Sequence, residues 1–188
     1  MSLSPVKRLV LETMWQLDKP AKASEIAKGV GLAFPPVMMH ILGLVKMNYA
    51  ETAEQGTYII TEMGRKELGL PQVSKEKAAE ILAYLPVDRS FHFYADIGKP
   101  LNIYAASLGD FCEKLAKTDD SSLEFHLSRG DFEAWFASLG DTELAKRALL
   151  LREQKVVGEK LRNKLCQDVK NRCNVLTKIR NAQPTKLA

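Results

Sequence analysis

Apolar residues recur at helical spacing from the start of the chain. Val6, Leu9, Val10, Thr13, Met14 and Leu17 repeat every three or four positions behind Ser4-Pro5, and the run stops near Asp18-Lys19-Pro20. Serine caps a helix, and proline fits a first turn whose N–H has no partner in any case. A short second helix is predicted with Ile26, Ala27 and Val30 inward, capped by Ser24 and closed by Gly31, where a left-handed residue is wanted. Phe34 to Met47 predicts a third helix whose two prolines are confined to its start, with Asn48 as its C-terminal cap. Tyr49 to Thr52 and Thr57 to Thr61 flank a polar turn, Ala53-Glu54-Gln55-Gly56, and predict a β-hairpin; Thr61 then caps a helix from Glu62 to about Leu68. Glu76 to Leu85, between Pro71 and Pro86-Val87-Asp88, predicts a short linking helix.

Beyond Asp141 the pattern lengthens. Leu144, Ala148, Leu151, Leu161, Leu165, Val169, Cys173 and Leu176 recur mostly at four-residue steps, as one long helix or two broken near Gly158. Lys160, Arg162, Lys164, Lys170 and Arg172 fall on the opposite, basic face.

The order helix, helix, tight turn, helix, hairpin over residues 5–70 resembles the winged helix-turn-helix repressors of archaea and bacteria. The resemblance runs from Ser24-Glu25-Ile26-Ala27 through Gly31-Leu32 to Val37, His40, Ile41, Leu44 and Asn48-Tyr49-Ala50. It implies a recognition helix whose Val37, Ile41 and Leu44 face the core, and asparagine replaces the glycine that opens the wing in that family. Residues 90–176 are similar to a helical domain of unknown function associated with archaeal proteins of this architecture. Phe91-His92-Phe93-Tyr94, Ser107 to Phe111 and, above all, Ser122-Leu123-Glu124-Phe125-His126-Leu127-Ser128-Arg129-Gly130-Asp131-Phe132-Glu133-Ala134-Trp135 carry this second likeness. The resulting expectation is a mainly α protein: a winged helix-turn-helix with a small hairpin wing over 1–70, a linker helix over 71–89, an all-helical domain over 90–180 with no second sheet, and a flexible tail over 181–188.

Composition narrows the classes. At 188 residues the chain suits two small domains, and 46% hydrophobic with 27% charged residues is a globular composition. No apolar run approaches the roughly 20 residues that span a bilayer, and the N-terminus lacks the sections of a signal peptide, which points to the cytoplasm and to no membrane partner. Cys112, Cys166 and Cys173 form no CxxC pair and read as reduced, small buried hydrophobes. The formal charge of +4 is unevenly placed: eight basic against seven acidic residues in 1–72, seven against thirteen in 73–145, and twelve against three in 146–188. The basic C-terminal stretch can meet nucleic-acid phosphates or dock on the acidic middle segment.

The winged-helix resemblance implies double-stranded DNA as partner, a homodimer reading paired half-sites, and a transcriptional regulator without catalytic activity or cofactor. The expected contacts are Lys22, Lys28, Lys46, Arg65 and Lys66 to phosphates, with Pro35, Pro36, Met39 and His40 on the third helix and Gln55 at the wing tip. Few residues on that helix can form a bidentate bond to a base edge. Its outward Met38, Met39, Leu42 and Val45 form an apolar strip expected to be covered by another surface. The alternatives are a winged-helix protein-interaction module and a small-ligand sensor with its pocket in the second domain. There His126, Arg129, Asp131 and Trp135 are a ligand-binding or structural cluster, with Asp131 placed to cap the helix of Phe132, Trp135 and Phe136. His40, His92 and His126 lack metal-ligand spacing, and no nucleophile elbow, phosphate-binding glycine loop or HExxH motif appears.

Overall fold

A computed structural model describes residues 3–182; most of the expected C-terminal tail, from residue 183 onward, lies outside the described residues. The protein is mainly helical, with small antiparallel sheets, and its chain divides into two compact units, up to Gln72 and from Val73 onward.

In the first unit, α1 (Pro5–Leu17) is capped by Ser4 and ends at Asp18 in the left-handed region. A two-residue strand, β1 (Ala21–Lys22), leads into α2 (Ala23–Val30), which Gly31 closes at φ 74°. Next come α3 (Phe34–Lys46), β2 (Ala50–Thr52), β3 (Thr57–Ile60) and α4 (Glu62–Glu67). The sheet order is β1-β3-β2, all antiparallel, so the hairpin's return strand is also paired with the short strand between the first two helices. Val10, Leu11, Met14, Trp15, Ile26, Val37, Ile41 and Leu44 fill the core, each buried side chain of this size contributing roughly 1.5–3 kcal/mol.

Two local expectations change here, and one glycine is sterically fixed. The buried stripe of α1 runs through Leu11 and Trp15, while Val6 and Leu9 stay exposed, because this helix packs on α2, α3 and β3 together and buries a wider arc than one facing stripe. Ser24 lies inside α2; the entry is closed instead by the Glu25 carboxylate, which accepts the Lys22 N–H at 3.0 Å. Gly64 has no room for a side chain, since a Cβ there would strike the Tyr49 carbonyl and approach Ile60 Cγ1 to 2.8 Å.

The second unit begins with α5 (Lys75–Ile81), whose Ala78 and Ile81 belong to this unit's core. It continues with β4 (Phe91–Asp96), β5 (Lys99–Ala105), α6 (Leu108–Leu115), α7 (Asp120–Arg129), α8 (Asp131–Ser138), α9 (Thr142–Glu153) and α10 (Gly158–Asn181). The break before Gly158 therefore separates two helices. α10 packs against α5, α6, α7 and α9.

The expectation of an all-helical second domain is overturned, because β4 and β5 pair as an antiparallel hairpin. Phe91 and Phe93 are buried while His92 is exposed, and on the return strand Ile103 and Ala105 turn inward between exposed Asn102 and Tyr104. That period of two is a strand pattern, and Gly98 at φ 73° makes the turn. Asn102, also left-handed at φ 56°, lies within the register shift between the His92 and Tyr94 pairs. Leu123 to Leu127, by contrast, is helical.

Candidate nucleic-acid surface and aromatic cleft

On the first unit, α3 follows the Gly31 turn and buries Val37, Ile41 and Leu44, leaving its other face in solvent. Phe34 is 50% exposed, Met39 69% and Leu42 40%; Pro35 and Pro36 are also exposed, and Met38, His40 and Val45 are half-buried. The expected cover over Met39 and Leu42 is not supplied by the unit itself. Lys22, Lys28, Lys46 and Lys66 are exposed around this helix and the neighbouring elements, and Gln55 sits at the hairpin tip with φ 57°. Arg65 differs from these. Its guanidinium lies 3.7 Å from Asp18 at the end of α1 and 3.8 Å from Glu62, only 18% exposed, so it braces α4 against α1.

In the second unit, the expected cluster assembles around one ring. His126 is 3% exposed, with Nδ1 2.8 Å from Asp131 Oδ2 and Nε2 accepting the Tyr94 main-chain N–H at 2.8 Å. An imidazole nitrogen that accepts is unprotonated, so the proton sits on Nδ1 and is donated to Asp131. Burial lowers the His126 pKa below the usual imidazole value, against the opposing pull of the Asp131 hydrogen bond and charge. One turn earlier on α7, Ser122 donates its hydroxyl to the Tyr94 carbonyl at 2.7 Å. Side chains of α7 thus satisfy both main-chain groups of Tyr94.

Asp131 does not cap α8. It is the helix's first residue, behind Gly130 at φ 75°, and its Oδ2 accepts from both His126 and Arg129 Nε, the latter at 3.2 Å. The Arg129 guanidinium also lies 5.1 Å above the Phe125 ring. Trp135 donates its indole N–H to the Arg89 carbonyl at 3.1 Å. Phe91 is the hub of the surrounding rings, 4.9 Å from Phe93, 5.2 Å from Phe132 and 5.4 Å from Trp135 between centroids. Beside this cluster opens a cleft of about 450 Å³, bounded by β4, the turn at Ile97-Gly98, α7 and α8.

The charges of the C-terminal region sort by residue type. Arg172 is buried and donates to Asp141 at 2.7 Å and to Glu143 at 2.8 Å; Arg147, also buried, lies 3.6 Å from Glu143 and 3.8 Å from Asp168. Arg152 grips Glu133 with two nitrogens, and Arg162 reaches Asp120 and the Leu115 carbonyl. Arg162 and Arg172 are therefore not on the outer face predicted for them, where Lys160, Lys164 and Lys170 do stand exposed. The planar arginine fork holds carboxylates in fixed geometry, whereas a lysine's strongly hydrated ammonium favours water. Asp120, Glu133, Asp141 and Glu143 of the acidic middle segment are in this way partners of the basic C-terminal one.

The cysteines are free and half-buried against the core; the Cys112 thiol approaches the Cys166 carbonyl at 3.5 Å. Burial pushes the Cys112 pKa far up and that of Cys173 up to about 11, which disfavours the thiolate. No group of three metal-ligating side chains is assembled among the described residues. No single described helix is long and apolar enough to cross a membrane, and the bent pair α2 and α3, apolar enough when taken together, spends Ile26, Val37, Ile41 and Leu44 on the core.

Sequence reasoning named His126, Arg129, Asp131 and Trp135 but missed Tyr94, Ser122 and Phe91, which complete the cluster. For Phe91 and Tyr94 the signal lay in the alternation of residues 91–94, which makes them a strand; Ser122 meets that strand from α7, one turn before His126. Fold and surfaces together define a mainly helical, two-unit protein with an apolar exposed helix on one unit and an aromatic cleft on the other. Compared with known proteins, the chain matches no family model, no curated protein and no solved structure.

Proposed function

We propose that the first unit is a winged helix-turn-helix and that the protein is a DNA-binding transcriptional regulator without catalytic activity, acting in the cytoplasm as a homodimer. The observation that carries this reading is topological. A tight glycine turn leads into an exposed third helix, and the following hairpin returns onto the strand between the first two helices in the order β1-β3-β2. Such a unit places α3 in the major groove and the Glu54–Gly56 tip along the backbone. Lys22, Lys28, Lys46 and Lys66 then meet phosphates. Arg65 stays with Asp18 and contributes to stability. With Phe34, Pro35, Pro36 and Met39 outward, base reading falls to apolar contact with thymine methyl groups, and His40 supplies a single polar contact. His126 spends both ring nitrogens inside the fold, which leaves it no role as a general base.

Electrophoretic shifts of duplex fragments across a salt series test the proposal. Binding should weaken linearly on a logarithmic salt scale, and Lys28→Ala with Lys46→Ala should flatten the slope by about one for each phosphate that no longer meets a lysine. Absence of any shift at low salt would refute it.

A second reading rests on the exposure of Phe34, Met39 and Leu42, which suits a protein interface as well as a groove. In that reading α3 docks on another protein surface, such as a second copy of the chain. Met39→Glu discriminates the two: loss of the dimer with unchanged DNA binding assigns the face to protein, and loss of DNA binding alone assigns it to the groove.

A further inference from the structure

We propose that the cleft between β4, α7 and α8 is a binding site for a small, uncharged aromatic molecule of one or two fused rings. This goes beyond the DNA reading and does not depend on it.

The space comes first. About 450 Å³ lies within the range of small-molecule sites and admits one or two rings. Aromatic side chains from three elements border it: Phe91 and Tyr94 from β4, Phe125 from α7 and Trp135 from α8.

The chemistry of the wall decides the ligand. The neutral polar side chains of Ser90, His92, His126 and Trp135 along the cleft already have partners in the fold. The Trp135 N–H goes to the Arg89 carbonyl at 3.1 Å and the Ser90 hydroxyl to the Pro86 carbonyl at 3.0 Å. His92 Nε2 lies 2.7 Å from the Val87 carbonyl, and His126 uses both ring nitrogens. What remains to an incoming molecule is mostly ring face and ring edge. A ligand with several polar groups would give up more hydrogen bonds to water than the Tyr94 phenol could replace, whereas an aromatic one exchanges water for offset and edge-on ring contacts.

Charge is cancelled as well. Arg129 is paired with Asp131 at 3.2 Å, and Asp96 at the hairpin turn is paired with Lys99 at 3.3 Å. Neither a carboxylate nor an ammonium finds an uncompensated opposite charge. Ile97, at the same turn, is 76% exposed and borders the cleft. A large apolar side chain held in water beside an apolar opening gains cover when a ring fills that opening.

The test uses the full chain labelled with nitrogen-15 and titrated with indole. The protein has two tryptophans, and Trp15, buried in the first unit, serves as internal control. A saturable shift of the Trp135 indole N–H and the Tyr94 amide, with Trp15 unmoved, is the expected result. Ala134→Phe, at an exposed α8 position bordering the cleft, should weaken the affinity by at least about tenfold by filling the space, with the rest of the spectrum unchanged. Indole-3-acetate and tryptamine, the charged counterparts, should bind no better than indole. An unmoved Trp135, a linear drift of both tryptophans, or binding confined to one charged counterpart would overturn the proposal.

Discussion

Tyr94 gives its main-chain N–H to Nε2 of His126 across 2.8 Å, and that hydrogen bond fixes the protonation of the ring. A second proton on the imidazole would set one donor against another. Burial, the leading influence, already holds the ring's pKa below its ordinary value of about 6.5. The unfolded chain therefore takes up the proton first. The contribution of His126 to stability is complete above the unfolded pKa and is lost as pH falls through the lower, folded one. The melting temperature of the protein should drop between pH 7 and pH 5. In His126→Gln it should start lower at pH 7 but fall less over the same interval. Parallel pH profiles from thermal melts would contradict this assignment.

Gly64 sits where α4 meets the Tyr49 carbonyl, and a methyl group there has no way to avoid main-chain atoms. Gly64→Ala should cost on the order of 1–3 kcal/mol, as an overpacked site does, although alanine is the better helix former. Urea titration of the variant measures it; a neutral or stabilising result would mean that α4 moves away freely.

Arg172 joins Asp141 and Glu143 in the interior, and Asp141 simultaneously caps α9 through the Leu144 N–H at 3.0 Å. Arg172→Ala removes a guanidinium from the buried Asp141 and Glu143 carboxylates and should destabilise by about 3–5 kcal/mol. Lys160→Ala, on the same helix but exposed, should change stability by well under about 1 kcal/mol. Chemical denaturation of the two variants side by side decides whether the inner arginine is structural.

If the exposed α3 face reads thymine methyl groups, replacing thymine by deoxyuridine in a bound duplex should weaken binding while leaving the salt dependence unchanged. Each good base contact is worth roughly 1–3 kcal/mol, and an isolated methyl belongs at the low end of that range. Equal affinity for the two duplexes would assign Phe34 and Met39 to some other surface.

The first unit was largely legible because its boundaries are local. Ser4-Pro5, Gly31 and Thr61 act within one turn of themselves, and the structure places each at the helix end it predicts. The phase of α1 was less legible, since burial of Leu11 and Trp15 depends on three elements packing on it at once. In the second unit the hairpin at 91–105 carries its alternation openly, but its outward positions include Tyr94, Asn102 and Tyr104, with charge only at Asp96 and Lys99 beside the turn, so the contrast between faces is weak. The direction taken by Arg162 and Arg172 could not be read from helical spacing either. Helical periodicity treats all cations alike, and only the placement of Asp120, Asp141 and Glu143 separates the arginines from their lysine neighbours.

That separation has a consequence for covalent chemistry. The ionic framework of the second unit rests mainly on guanidinium groups, while the outer charge of α10 at Lys160 and Lys170 is carried by primary amines. Acylation neutralises an amine and leaves an arginine untouched. The helix can lose its electrostatic signature toward the outside while the pairs that hold it in place keep theirs, so its attraction for anions is adjustable independently of its anchorage.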